Sequence, residues 1–188
     1  MLPFLLFAQA VPPPQEIVVP QTVRTLPGKL DQVPVFNSNQ PELVQEEGIL
    51  LSTFPPEGKQ VPSAHLNIAF SGRFDVFANH IARAKTPDDL RTLYLGVVLY
   101  NPGNQPITVD VLQAASYLSQ PDAPFIDLPP VVDNPRNTVY SGPGSRAMGD
   151  VLRGKRQAVF PTQIVIPPGQ SQLLMNLPIP VRTLTPPL

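Results

Sequence analysis

The sequence contains no cysteine, no tryptophan and only two histidines. Without cysteine it has no disulfide scaffold, no thiolate metal site and no cysteine nucleophile. His65 and His80 do not by themselves make a zinc site. With no tryptophan and only four tyrosines, Tyr94, Tyr100, Tyr117 and Tyr140, the aromatic platform that sugar-binding sandwiches present has little to be built from. Charge is also scarce. Lys, Arg, Asp and Glu make up 14% of the chain, against about a quarter in ordinary domains. The net charge of −1 comes from interspersed acids and bases. No basic run neutralises a series of phosphates, which excludes nucleic acid as a partner.

What the sequence has in quantity is proline, 27 residues among 188, together with a 42% hydrophobic share. Disorder needs low hydrophobicity and high charge, so this composition reads as folded. Proline at such density opposes long helices, because it removes an amide donor and clashes with the preceding turn. The expected class is all-β: an antiparallel β-sandwich with Pro/Gly turns, one or two short helices and a long irregular insertion.

The N-terminus carries a compartment signal. Leu2 to Phe7 is apolar apart from Pro3, and Ala8-Gln9-Ala10 follows, an Ala-x-Ala site of the kind signal peptidase cleaves. No basic residue precedes the run, which departs from the usual signal-peptide layout. The run is far too short to span a bilayer, and no transmembrane segment is expected. Residues 1–10 therefore read as a signal-peptide-like segment, 11–20 as a Pro-rich spacer, and 21–188 as a single β-sandwich domain. The expected location is the periplasm, the outer envelope or the extracellular space.

Alternation and turn chemistry place the elements. Residues 16–25 and 33–36 read as short strands, 41–47 as a helical turn ending at Gly48, and 48–54 as a strand. Residues 64–77 read as a hairpin around Ser71-Gly72-Arg73, with Phe70 facing Phe74, Ile68 facing Val76 and Leu66 facing Ala78. Thr86-Pro87-Asp88-Asp89 has the form of a helix start. Thr92 to Tyr100 is apolar on both alternating faces and reads as a strand buried on both sides. The turn Asn101-Pro102-Gly103-Asn104 returns it to a partner at 107–112. Near the end, 163–166 is a strand, Pro167-Pro168-Gly169-Gln170 a second Pro-Gly turn, and Leu173, Met175, Leu177 and Ile179 alternate along a final strand. Residues 120–156 break the pattern with six prolines and few candidate strands. Ser145 to Leu152 there reads as a short helix capped by Ser145. Long irregular segments in compact domains are usually functional or linkers.

Two stretches carry a resemblance. One is Leu30-Asp31-Gln32-Val33-Pro34-Val35-Phe36-Asn37-Ser38-Asn39 with Glu42-Leu43-Val44. The other is His80-Ile81-Ala82-Arg83-Ala84-Lys85-Thr86-Pro87-Asp88-Asp89-Leu90-Arg91, continued by Tyr117-Leu118-Ser119-Gln120-Pro121-Asp122-Ala123-Pro124-Phe125. From Gln21 onward the chain resembles an uncharacterised cyanobacterial family of predicted exported proteins, a domain of unknown function. The resemblance attaches to no known chemistry and carries over no catalytic residue. It implies further β-strand beyond Leu188, so that a closing strand lies outside this chain.

Candidate chemistry is sparse. His65, Asn67, Asp75 and Asn79 would share one face of the 64–77 hairpin, and a hydrolase would use Asp75 with His65. Without a nucleophile signature, a solvated sheet face is the plainer reading. His80 falls on the apolar side and reads as a partly buried, hydrogen-bonded residue. Asp122, Asp127, Asp133, Asn134 and Asn137 offer oxygen ligands suited to calcium, at a spacing that matches no EF-hand. Ser141-Gly142-Pro143-Gly144-Ser145, with Arg146, Arg153, Lys155 and Arg156 nearby, could hold an anion at a helix start, but it is neither a P-loop nor a nucleophile elbow. Tyr94 and Tyr100 read as core residues with a wet tip. The expected function is that of a non-enzymatic structural or interaction protein of the bacterial envelope that needs no cofactor. Its partner would be a protein or an envelope polymer, met by Asp122, Asp127, Asp133, Arg136, Tyr140, Arg146, Arg153, Lys155 and Arg156. The alternative is a carbohydrate- or calcium-dependent binding module.

Overall fold

The computed structural model describes residues 32–181, with Val18, Pro20, Thr25 and Lys29 before them. The signal-like segment, the spacer and the strand expected at 16–25 otherwise lie outside the described residues. Met1–Pro34 and Val35–Leu188 are separate units, and every element named below lies in the second.

The protein is β-rich with one α-helix. Its strands are β1 (Val35–Ser38), β2 (Leu43–Val44), β3 (Asp75–Ala78), β4 (Ile81–Ala82), β5 (Thr92–Tyr100), β6 (Ile107–Asp110), β7 (Gln163–Ile166) and β8 (Ser171–Pro180), and helix α1 (Pro143–Leu152) falls between β6 and β7. They pair two by two. The β5–β8 and β6–β7 pairs are antiparallel, as expected. The β1–β3 and β2–β4 pairs are parallel, which corrects the expectation of an antiparallel framework throughout.

The parallel pairs form one interrupted ladder. Ser38 closes β1 opposite Ala78, and Leu43 reopens the ladder opposite Ile81. The gap holds Asn39 to Glu42 on one side against Asn79 and His80 on the other, and it is flanked by Asn79 N–H to Ser38 C=O at 3.0 Å and Ile81 N–H to Glu42 C=O at 2.6 Å. Two sequence expectations fail here for one reason. The helical turn at 41–47 is replaced by β2, because Leu43 and Val44 find ladder partners in Ile81 and Ala82. The hairpin at 64–77 does not form. Its second half joins β1, and its first half bonds instead to the segment expected as a strand at 48–54, through Leu66 N–H to Ser52 C=O at 2.9 Å and Asn67 N–H to Phe54 C=O at 3.1 Å. Only the bridge between Ser52 and His65 is left of that strand. The aromatic pairing survives the change of partner. Phe70 stacks on Phe74 at 5.0 Å, and Phe36 meets Phe70 edge-on at 6.1 Å.

Thr86 to Asp89 closes a single turn, Asp89 N–H to Thr86 C=O at 3.1 Å, and opens no helix. The Asp89 carboxylate turns to Arg91 instead, 2.9 Å from its Nε, and β5 begins at once.

Strands β5, β7 and β8 lie where alternation and Pro-Gly chemistry put them. Burial in β5 is one-sided, however. Leu93, Leu95, Val97 and Leu99 face inward, while Tyr94 and Val98 are 61% and 60% exposed. This corrects both the two-sided burial of β5 and the core placement of Tyr94 and Tyr100. Alternation along β8 flips at a bulge: Val97 pairs with Met175 and Val98 with Leu173, so Leu174 is passed over and Leu173 turns outward beside Val98.

The expected β5–β6 hairpin is also corrected. The turn after Tyr100 leads from the β5–β8 pair to the β6–β7 pair, and Pro167–Gln170 leads back. Asn101, 1% exposed, joins the two turns. Its Nδ2 donates to Gln105 C=O at 2.8 Å and Ile166 C=O at 2.9 Å, and its Oδ1 accepts from Gly103 N–H at 2.9 Å. Its backbone bonds to Gln170 and Gly169 across the β7–β8 turn. Among the described residues, the buried hydrophobic side chains are Ile166, Phe160, Ala123 and Val181.

Candidate functional site

Residues 120–156 contain no strand, but side chains hold them in one arrangement. Asn134 folds the loop locally: its Oδ1 accepts from Thr138 N–H at 2.9 Å and Val139 N–H at 3.0 Å. Asn137 sits at φ 55°, a left-handed conformation that asparagine tolerates. This aims its amide under α1, where Nδ2 donates to Asp150 Oδ1 at 3.0 Å and Arg146 C=O at 3.2 Å. The approach is close enough that a Cβ on Gly149 would lie 2.0 Å from Asn137 Oδ1.

Helix α1 starts two residues earlier than Ser145. Gly142, at φ 88°, is its N-cap and Pro143 its first residue. The expected cap at Ser145 is therefore corrected: its hydroxyl accepts from Ser141 N–H at 2.9 Å and donates back to Gly142 C=O at 3.1 Å. The Phe125 ring packs directly over Gly142.

Asp150 is the hub of the segment. Buried at 7% exposure, its carboxylate accepts from Tyr117 Oη at 2.6 Å, Lys155 Nζ at 2.8 Å and Asn137 Nδ2. The Lys155 ammonium foremost, then the Tyr117 hydroxyl, hold its pKa down at about 2. Desolvation and this same carboxylate push the Tyr117 phenol up. The Arg146 guanidinium lies 4.1 Å over the Tyr117 ring and 4.9 Å from the Tyr140 ring, and also donates to Asp122 C=O.

The basic residues expected as a contact cluster thus serve the segment's own chain. Arg153 donates to Asn134 C=O at 2.6 Å and Gly149 C=O at 3.0 Å, and Arg156 to Phe160 C=O at 3.2 Å. The oxygen ligands do not converge either. Asp122 accepts from Leu118 N–H at 3.0 Å, Asn134 and Asn137 are engaged as described, and Asp127, Asp133 and Arg136 are exposed on the loop. Among the described residues, no group of three or more His, Cys, Asp or Glu side chains is arranged to hold a metal ion. Beside these polar residues the segment turns large apolar side chains to solvent: Phe125 is 73% and Val131 86% exposed, with Ile126, Val132, Met148 and Leu152 exposed as well.

His65 and Asp75 lose the hairpin that was to align them. His65 bridges to Ser52, Asp75 lies opposite Val35, and His65 Nδ1 is buried with no hydrogen-bond partner. The other histidine makes the contact that the sequence did not indicate. Across the gap in the parallel ladder, His80 Nε2 lies 2.9 Å from Ser38 Oγ, and His80 Nδ1 lies 2.9 Å from Pro41 C=O. His80 also lines a cavity of about 170 Å³ with Leu50, Ala82, Leu93, Leu95 and Ile179. Ser38 and His80 are 42 residues apart in the chain and flanked by no motif, so only the ladder register could have brought them together.

Among the described residues, no helix is long and apolar enough to cross a membrane. No curated protein and no solved structure matches the chain. A model of the family described as a protein of unknown function, DUF3370, matches residues 21–188. That span covers both the interrupted ladder and the whole Asp150-centred segment, and the chain belongs to the DUF3370 family.

Proposed function

We propose that this chain is an exported structural or interaction protein of the bacterial envelope, of cyanobacterial origin, in which residues 120–156 act by binding and not by catalysis. The scaffold is a β-sandwich in which the small sheets layer on one another, with the turns at Asn101–Asn104 and Pro167–Gln170 as the points where the chain changes sheet. Export rests on Ala8-Gln9-Ala10 and the apolar run before it. The observation that carries the binding role is the pairing of internal order with outward apolar surface. Asp150 ties α1, Asn137, Tyr117 and Lys155 together, while Phe125 and Val131 stand in solvent. A loop ordered in advance loses little entropy on association, and exposed apolar side chains on such a loop suit an interface. The partner is a protein or an envelope polymer.

The test is removal of residues 121–154 in favour of a short Gly/Ser linker, which spares the Ala114–Arg156 bridge. The reading expects lost partner capture and a retained β-fold by circular dichroism. Loss of the fold instead makes the segment structural and puts the contact surface elsewhere.

A carbohydrate-binding role has one observation in its favour. Tyr94 and Tyr100 are exposed on the outer face of β5 with Val98 between them, and Phe54 leans on Tyr100 at 5.4 Å. Calorimetry with envelope polysaccharides, with and without calcium, separates the two roles: heat that disappears in Tyr94→Ala supports the sugar site, and no heat with any polymer removes it.

A further inference from the structure

We infer that Ser38 is a nucleophile for acyl transfer activated by His80, and that its substrate class is an ester of a short apolar acyl group. The carbonyl of Pro41 can only accept a hydrogen bond. At 2.9 Å it therefore fixes the proton of the neutral imidazole on Nδ1. Nε2 then carries the lone pair, and the Ser38 hydroxyl, also at 2.9 Å, is the donor. This is the geometry of a nucleophile joined to its general base, with a main-chain carbonyl in the orienting position that a carboxylate takes elsewhere.

The fold holds the pair from both sides. Ser38 is the last residue of β1 and His80 occupies the gap between β3 and β4, each beside a ladder hydrogen bond. Ser38 is 7% exposed, and the low local dielectric strengthens the hydrogen bond between partners so aligned. The acyl preference rests on the cavity that His80 shares with Leu93, Leu95 and Ile179, which Glu46 and Glu47 also line and which Ser38 adjoins through His80. Asn39 and Asn79 flank the pair in sequence, and their side-chain amides are joined at 3.3 Å.

In the reaction Ser38 Oγ bonds to the ester carbonyl carbon while its proton passes to His80 Nε2. The carbon–oxygen bond to the leaving alcohol breaks, and the alcohol departs with the proton from His80. Water, deprotonated by His80, then attacks the acyl-serine, releases the carboxylic acid and restores both residues. Ester and water give acid and alcohol, with no other reactant.

The test treats the full chain with a fluorophosphonate and, separately, with p-nitrophenyl butyrate, and reads the adducts by intact mass and peptide mapping. The expected result is a single adduct on Ser38, formed faster than at exposed Ser63 or Ser71 despite its burial. It is slowed roughly a hundredfold or more in His80→Gln at unchanged melting temperature, the usual reach of a general base. The inference is overturned if wild-type Ser38 labels no faster than Ser63 and Ser71, a comparison that needs no variant to fold. It is equally overturned if folded His80→Gln labels at the wild-type rate. Ser38→Ala leaves residues 120–156 intact, so its effect and that of the contact surface are read separately.

Discussion

The side-chain amide of Asn101 donates to the carbonyl of Ile166 at 2.9 Å, across 65 residues of sequence. With its bonds to Gln105 and Gly103, this single buried residue ties the turn after β5 to the end of β7. Both Nδ2 bonds go to carbonyls, so the position requires a donor. Asn101→Ala leaves the buried Ile166 carbonyl, the part-buried Gln105 carbonyl and the Gly103 amide unpaired and is expected to cost about 2–4 kcal/mol. Asn101→Asp sets a carboxylate against those carbonyls and is expected to cost more. Urea denaturation of both variants checks the order. A milder effect of Asp than of Ala contradicts the assignment.

Two glycines of α1 should respond to alanine with opposite signs. A Cβ on Gly144 meets nothing within 4 Å, so Gly144→Ala is expected to stabilise by up to about 1 kcal/mol through backbone entropy. A Cβ on Gly149 would strike the Asn137 amide at 2.0 Å and push it away from Asp150. Gly149→Ala is expected to destabilise by about 2 kcal/mol or more, against its helix propensity. Thermal melts of the two variants give the signs, and hydrogen exchange over 120–156 should rise only in the second.

The Asp150 carboxyl falls from an ordinary 3.8 to about 2 in the folded protein. A lowered folded-state value means that the ionised form favours folding. Its contribution is full above the unfolded value and is lost as pH falls from about 4 toward 2. Asp150→Asn is expected to be less stable at pH 6 and to lose less on going to pH 2.5. Asp89, held at about 2 chiefly by its hydrogen bond to Arg91, titrates in the same window and stays in the variant. The acid limb therefore flattens without vanishing. Melting temperatures at the two pH values check this, and an equal drop in both proteins contradicts it.

Local chemistry made part of this fold legible. The Pro167–Gln170 turn, β7 and the limits of β5 follow from alternation and from Gly169 at positive φ, all within a few residues of sequence. What failed was choice of partner. Residues 64–68 and 75–78 have complementary apolar faces and look like a hairpin, yet each half has a better partner upstream. Thr86 has a helix-capping hydroxyl, but the Asp89 carboxylate bonds to Arg91. At the candidate site the location of the irregular segment was legible and its organisation was not. The sequence shows Arg146, Arg153 and Lys155 close together, but not the partners they take within the segment, the Tyr117 ring, Asn134 and Asp150. Ser38 with His80 has no sequence signal at all, because the register of a parallel ladder creates the pair.

Capture from bacterial envelope extract tests the contact surface most directly. The baits are the full chain and a Phe125→Ser, Val131→Ser double variant of equal melting temperature, with bound proteins and polymers quantified on each. Two solvent-facing anchors of an interface are together expected to supply more than about 1.4 kcal/mol, so the variant should retain its envelope component at least tenfold less well. Equal retention of the same material by both baits would contradict a contact surface at residues 120–156.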